Sequence, residues 1–388
     1  MLDVAVIGGG PGGLSAARSL ASAGRSVIVF EEHDQIGTPV HCTGVLAEDV
    51  IATMDLPAGA VLNPLSTVRF FAPAGHSFDY TTTTTEAVVI DRDVFDNALA
   101  RRAVAAGATI SRGRRVVAID YTDDGVTATL ADGELVQARA VVLACGANYS
   151  FQKRLGLGMP TTFLQSAQME LPASRLGDVE IHFGSEIAPK GFAWAVPVRR
   201  ASGTFARIGV MAEGDAGVYF SRMLERVRTR WCVQTPNGVT PRRRMLPLGS
   251  VKRTYADRVV AVGDAAGLVK PTTGGGIYYS VVSGEIAGEV LSSRIAVNDF
   301  SASAMRAYEE GWRSRFQSEF SAQHALRFVA QHMRDGDIDA LFTLAATDGI
   351  LPLVRQTARF NRHRDFILAL LKHQPARRAL FGRLASSM

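Results

Sequence analysis

The chain opens on a short apolar run, Asp3–Ile7, that breaks into glycines between Gly8 and Gly13. Leu14, Ala17, Leu20 and Ala21 then recur at helical spacing as far as Gly24, and a second apolar run, Ser26–Phe30, stops at Glu31. Short apolar runs without alternation are strands buried on both faces, and an amphipathic stretch between two of them is a crossover helix. The pattern predicts a βαβ start and hence a doubly wound parallel sheet. Ala140–Ala144 and Arg258–Val262 read as further buried strands of the same kind. Elsewhere the periodicity changes. Thr67–Phe71 and Phe78–Thr85, rich in Thr, Phe and Tyr, predict strands, the threonine run Thr81–Thr85 included. Asp91–Ala106 predicts a helix, and Arg115–Tyr121, Val126–Leu130 and Leu135–Ala138 predict a small antiparallel set with a turn at Asp132–Gly133. From about 161 to 244 the chain reads as β-rich with one helix near Tyr219–Trp231; a helix follows from about Gly276 to Ser293, and the remainder is helical and basic.

Composition narrows the class. A chain of 388 residues predicts two to three domains, and 47% hydrophobic with 20% charged residues is ordinary for a globular protein. The net charge of +5 is too small an excess to argue for nucleic acid, and is compatible with an anionic substrate or an acidic partner. Cys42, Cys145 and Cys232 are too few and too odd for a disulfide framework, so a reducing, cytoplasmic setting is expected. No signal-peptide pattern precedes the first strand, and no run reaches the roughly 18 apolar residues of a membrane span. Peripheral membrane contact stays open, because Phe366–Leu371 with Lys372, Arg377, Arg378 and Arg383 mixes apolar and basic residues. Packing against the rest of the chain or another subunit is the alternative for that segment. No metal site is expected.

The strongest chemical signal is Gly8-x-Gly10-x-x-Gly13, with Pro11 and Gly12 inside it, between a strand and a helix. The first glycine allows a tight turn, the second lets backbone approach a pyrophosphate, and the third lets helix and strand pack closely. The helix N-terminus offers free N–H groups and a positive dipole to phosphate. Glu31, with Glu32 behind it, ends the second strand where a carboxylate accepts bonds from ribose hydroxyls. Gly263-Asp264 lies far downstream at the end of another strand, and Asp264 suits the polyhydroxyl arm of a flavin better than a nicotinamide nucleotide; capping of a helix is its structural alternative. Pro271-Thr272-Thr273-Gly274-Gly275-Gly276-Ile277 then opens a helix whose N-terminus would favour negative charge on a reduced flavin ring. Together these residues point to FAD.

Gly8–Gly13, Glu31, Asp91-Arg92-x-x-Phe95-Asp96 and Gly263-Asp264 resemble the FAD-binding part of the p-hydroxybenzoate hydroxylase superfamily. Within it, Pro39-Val40-His41-Cys42-Thr43-Gly44, Gly191-Phe192-Ala193-Trp194-Ala195-Val196-Pro197 and Thr273–Tyr279 are similar to motifs of the geranylgeranyl reductase family. Many hydroxylases carry Asp-Gly where this chain has Cys145-Gly146, which argues against a monooxygenase. The resemblance implies an α/β fold: a doubly wound parallel-sheet FAD-binding domain (1–60, 89–160 and 250–295), a β-rich substrate domain (61–88 and 161–249) and a helical C-terminal region (296–388). It implies saturation of geranylgeranyl or other isoprenoid chains. By resemblance Arg92 contacts FAD; as a structural residue it pairs with Asp96.

The chemistry asks for a hydride from reduced FAD and a proton on the other carbon. If protonation leads, aromatic faces steady the tertiary cation by roughly 0.5–2 kcal/mol each. Phe192, Trp194, Tyr278 and Tyr279 are the rings expected around that carbon, with ordinary core packing as the alternative. Cys42 is expected over the flavin, donating a proton or shaping the pocket. His41 and His182 have no assigned role. Arg242, Arg243 and Arg244 are read as solvated surface. A flavin monooxygenase or halogenase-like enzyme on a hydrophobic aromatic substrate is the competing reading, and a flavoprotein relaying electrons to a quinone or protein is a third. No second glycine fingerprint is visible, so the electron donor is open between transient NAD(P)H, ferredoxin and a chemical reductant.

Overall fold

The first apolar run becomes the strand Leu2–Ile7, which pairs in parallel with Val27–Phe30 on one side and with Leu135–Leu143 on the other. The computed structural model describes residues 1–236, 238–347 and 350–381. Its eight-stranded sheet continues outward through Val259–Ala261 and Tyr255–Ala256 at one end and Thr109–Ser111 at the other. Val116–Tyr121 and Val126–Leu130 attach to it antiparallel. The predicted pieces Leu135–Ala138 and Ala140–Ala144 are one strand. Arg139 does not interrupt it, because its guanidinium turns outward to Asp3 (3.0 Å) and Asn298 (2.8 Å) and leaves the backbone ladder intact. The helices Pro11–Ser22 and Ile277–Val297 pack on this sheet and on each other, close enough that a Cβ at Gly284 would lie 2.2 Å from the Gly12 carbonyl oxygen.

A second sheet of seven strands runs in the order Arg242–Pro247, Phe163–Pro172, Gly203–Ala212, Phe192–Arg200, Val179–His182, Thr67–Phe71, Ser77–Thr81. Period-two alternation gives it two faces. Ala193 and Ala195 pack under the helix Ala216–Trp231, while Phe192, Trp194 and Val196 join the cluster on the opposite face. A three-stranded sheet, Val45–Ala47, Ala87–Ile90 and Val61–Leu65, lies between these bodies. The threonine run does not extend the strand as expected. Ser77–Thr81 stops there, and the Thr82 hydroxyl donates to Ser66 O (3.2 Å) and Thr84 O (2.6 Å), local bonds that compete with a ladder.

The helices Ala302–Ala330, Asp335–Thr347, Ile350–Thr357, Arg364–Lys372 and Gln374–Phe381 follow. They reach back to the seven-stranded sheet, where Phe342 meets Phe78 (ring centroids 5.1 Å) and Asp335 accepts from Ser185 N (2.8 Å). The apolar face of the last two helices turns inward: Ile367 is buried, and Leu370 and Leu380 pack with Val329. Lys372, Arg377 and Arg378 are exposed, and Arg383 lies outside the described residues. Among the described residues no helix is long and apolar enough to cross a membrane.

Candidate active site

The glycine turn is built as its spacing demands. Gly8 has φ +111°, and a Cβ there would sit 2.3 Å from Ala144 O; one at Gly13 would sit 2.1 Å from Gly8 O. Gly13 therefore serves helix–strand packing. Gly10 faces open space, with nothing within 4 Å of a Cβ. The helix beginning at Pro11 has no side-chain cap and no acid in its first turn, so its leading N–H groups are free. Gly8, Gly9, Gly10, Pro11 and Gly12 line a cavity of about 780 Å³. Glu31 borders it but first braces its own loop, accepting from Gly9 N (2.7 Å), His33 N (3.0 Å) and the His33 ring (2.6 Å). Glu32 lines the cavity as well.

A second uncapped helix end faces the same cavity. Gly276 precedes Ile277–Val297 without a side-chain cap, and Gly274, Gly275, Gly276 and Ile277 are lining residues. Asp264 sits in the turn Gly263–Ala266, where a Cβ at Gly276 would come within 2.8 Å of its Oδ1. It does not cap its turn, and among the described residues its carboxylate has no hydrogen-bond donor. Burial raises its pKa, opposed by the charges of Arg92 and Arg244. A deep carboxylate turned to a cavity without a donor suits a polyhydroxyl ligand that brings its own. Pro271 lies off the cavity: the loop folds back through Lys270 N to Gly275 O (3.0 Å), which puts Lys270 and Thr273 on the wall instead.

The cysteine loop closes over this floor. Cys42 Sγ accepts from Gly44 N (3.3 Å) and lies beside the Arg92 guanidinium. Arg92 makes a two-pronged pair with Asp96 (3.0 and 2.7 Å), as its structural reading expects, and also borders the cavity. The loop is held from the seven-stranded sheet by a residue the sequence did not single out. Arg207, 3% exposed, donates to Thr43 O (2.6 Å), Ile90 O (3.0 Å) and Glu170 Oε2 (2.7 Å). His41 borders the cavity with its Nδ1 buried and unpaired; burial, with Arg244 and Arg242, pushes it down to about 4, so it is neutral at pH 7. Arg244 is exposed as expected, yet it also borders the cavity. It lies beside Gly146, whereas Arg243 pairs with Asp215 (3.1 Å).

Aromatic rings continue the wall. Phe192 and Trp194 lie 5.7 Å apart and both face the cavity. Trp194 pairs across the ladder with Gly209, and a Cβ there would fall 2.3 Å from the indole. The indole therefore lies flat on bare backbone, with Nε1 buried and unpaired. Tyr278 lines the cavity. Tyr279 also borders it, but its ring packs against Phe316 and Phe320, each 4.9 Å away, for most of its surroundings. His182 is far from this chemistry in role: it joins Glu180 (2.8 Å) in a buried cluster with Arg230 and Trp231. Two C-terminal residues that periodicity could not place, Phe360 and Asn361, complete the wall.

Comparison with known proteins agrees with this geometry. A family described as lycopene cyclase protein matches residues 3–346. Digeranylgeranylglycerophospholipid reductase 2 of Methanopyrus kandleri is 31% identical over 381 residues, spanning 91% of this chain and 92% of the relative. The digeranylgeranylglycerophospholipid reductase of Methanocaldococcus jannaschii is 28% identical over 357 residues, spanning 87% and 89%. A solved geranylgeranyl bacteriochlorophyll reductase-like protein from Thermoplasma acidophilum superposes with a TM-score of 0.84 at 22% identity, covering 100% of this chain and 99% of that one. A flavin-dependent brominase superposes with a TM-score of 0.68 at 16% identity over 92% of each chain, which is a likeness of fold.

Proposed function

The chain belongs to the geranylgeranyl reductase family, and on that premise we propose that it is an FAD-dependent enzyme that saturates carbon–carbon double bonds of an isoprenoid lipid. The observation that carries this reading is a single cavity. It runs from two uncapped helix ends and a donorless carboxylate to an apolar chamber walled by Phe192, Trp194 and Val196. The first part fits the pyrophosphate and polyhydroxyl arm of FAD; the second fits a hydrocarbon chain. When bound and reduced, FAD supplies hydride.

This chain's residues do the rest. The Gly10 and Gly12 amides and the Gly274–Gly276 turn are proposed to bind and orient the cofactor. Asp264 accepts from its hydroxyls. Cys42, fixed on the cavity side through Thr43 by Arg207, is the proposed proton donor to the alkene carbon. Phe192 and Trp194 exclude water and present ring faces to positive charge developing there. Electrons are proposed to arrive from NAD(P)H or ferredoxin. Lys372, Arg377 and Arg378, left outward by the inward-turned helices, are the proposed contact with an anionic membrane surface.

The test is anaerobic. The protein's flavin is reduced chemically and a geranylgeranyl lipid is added. Flavin reoxidation with a gain of two hydrogens per bond is expected. Reoxidation only on admitting O₂, with oxygen or halide in the product, would instead establish the monooxygenase or halogenase reading. Trp194→Ala is expected to keep FAD and slow alkene reduction on the order of 10–100-fold, a loss of roughly 1.4–2.7 kcal/mol. Lost FAD with unchanged turnover per bound flavin would remove Trp194 from the substrate wall.

A further inference from the structure

Lys270 is only 4% exposed, yet it lines the cavity. Its Nζ donates to the Phe360 carbonyl (2.7 Å) and stands 4.2 Å from the centroid of the Phe360 ring. No carboxylate among the described residues is within ion-pairing distance; Asp49 and Glu319 act on it from further away. A buried ammonium without a counter-ion is costly, because three donors and a charge need more than one carbonyl and a ring face. A neutral amine carries no charge to solvate and one donor fewer, and the Phe360 carbonyl accepts one of its two N–H groups.

The segment that Lys270 supports lies between the helices Ile350–Thr357 and Arg364–Lys372, and its Phe360 and Asn361 form cavity wall. Side chains of other elements tether it. Phe360 N donates to Glu86 (2.8 Å), Asn361 to Asp49 (3.3 Å) and His363 N to Glu319 (2.5 Å), while the His363 ring meets the Thr272 hydroxyl (2.9 Å). It belongs to no strand, so it can part from the cavity without breaking a sheet.

We propose that Lys270 is a positioning residue whose buried amine holds the Phe360–His363 segment as a removable wall of the cavity, and that uptake of a proton by this amine favours opening. Opening would admit a long apolar chain from the side, and this role rests on the isoprenoid reading above. The direction follows from linkage. Burial pushes the closed-state amine down to about 7, against the pull of Asp49 and Glu319. In the opened wall water restores the ordinary lysine value, about 10.4. Between those values the open form binds a proton that the closed form lacks. Opening therefore grows as pH falls through that window, by up to about tenfold per pH unit, and levels off below pH 7. His363 faces the same amine, but burial and then Lys270 push it down to about 4, so it stays neutral throughout. Glu86, Asp49 and Glu319 are the acids packed around the segment.

Hydrogen exchange on the FAD-loaded full chain tests this, using peptides covering 358–363 and protection corrected for intrinsic chemistry between about pH 6 and 9.5. Wild-type protection is expected to fall as pH drops toward 7 and then stay level. Lys270→Met is expected to be flat, Lys270→Arg to be poorly protected at every pH, and His363→Gln to keep the slope. A flat wild-type profile, a slope surviving in Lys270→Met, or a slope lost in His363→Gln would overturn the proposal. If Lys270→Met fails to fold, the wild-type and His363→Gln profiles decide alone. The exchange readout is independent of the alkene assay, so failure of the reductase reading and failure of this one are separate results.

Discussion

Two buried basic side chains hold two walls of the same cavity, and they are served very differently. Arg207, from the seven-stranded sheet, has a carboxylate, Glu170, and two carbonyls, Thr43 O and Ile90 O, for its donors. Glu170 in turn pairs with Arg200, which reaches Asp91 at the cap of the helix Arg92–Ala105. Lys270 has one carbonyl and one ring. The first arrangement offsets the desolvation of the charge and fixes the Cys42 loop; the second leaves it uncompensated. The cavity thus has a permanent wall where the proposed proton donor sits and a conditional wall where a substrate would enter.

The comparison breaks first at Arg207. Arg207→Met leaves the half-buried Glu170 beside a single arginine and takes a buried donor from the Thr43 and Ile90 carbonyls, and should cost about 3–5 kcal/mol of stability by urea titration. A loss under about 1 kcal/mol would mean the wall is not held there. Gly209→Ala is next. The new methyl enters the Trp194 indole, and overpacking should cost about 1–3 kcal/mol with FAD still bound. Trp194 fluorescence should shift with it; an unchanged spectrum and stability would show that the ring is free to move. Thr43→Val removes the bond from the Thr43 hydroxyl to Gln168 (2.9 Å) and should cost about 1 kcal/mol, since Arg207 still holds the Thr43 carbonyl.

What could be read from the sequence divides along the same line. The glycine turn, Gly263-Asp264 and Gly274–Gly276 are legible because tight backbone geometry admits few residue types within a contiguous run. Phe192 and Trp194 are legible through the likeness of Gly191–Pro197 to a family motif. Arg207, Arg244, Lys270 and Phe360 are not, because each acquires its role from a partner far along the chain. Arg207 meets Thr43, and Lys270 meets Phe360, across 164 and 90 positions. Arg244 stands in a run of three arginines on an edge strand, and only the sheet's placement sets it at the cavity's edge while Arg243 turns to Asp215. Gly209 carries a signal of its own: a glycine inside a strand, here Gly203–Ala212, marks a place where something lies against the backbone.

The smallest expected effect is the most discriminating. Lys270→Met should change global stability by no more than about 1 kcal/mol, even though the residue is as buried as Arg207. Methionine fills the same slot, loses one hydrogen bond and one ring contact, and removes a charge the site cannot solvate. The sign with pH is fixed by the lowered amine. An opened wall binds a proton between about pH 7 and 10.4 that the closed wall does not, so the closed wall loses stability against the open one as pH drops through that window. The wall can open and relieve that cost without unfolding the sheets, so the penalty should appear in local exchange at 358–363 and hardly at all in the urea midpoint. A global loss of about 3 kcal/mol or more in Lys270→Met would make this lysine a second Arg207, and the cavity would then have two permanent walls.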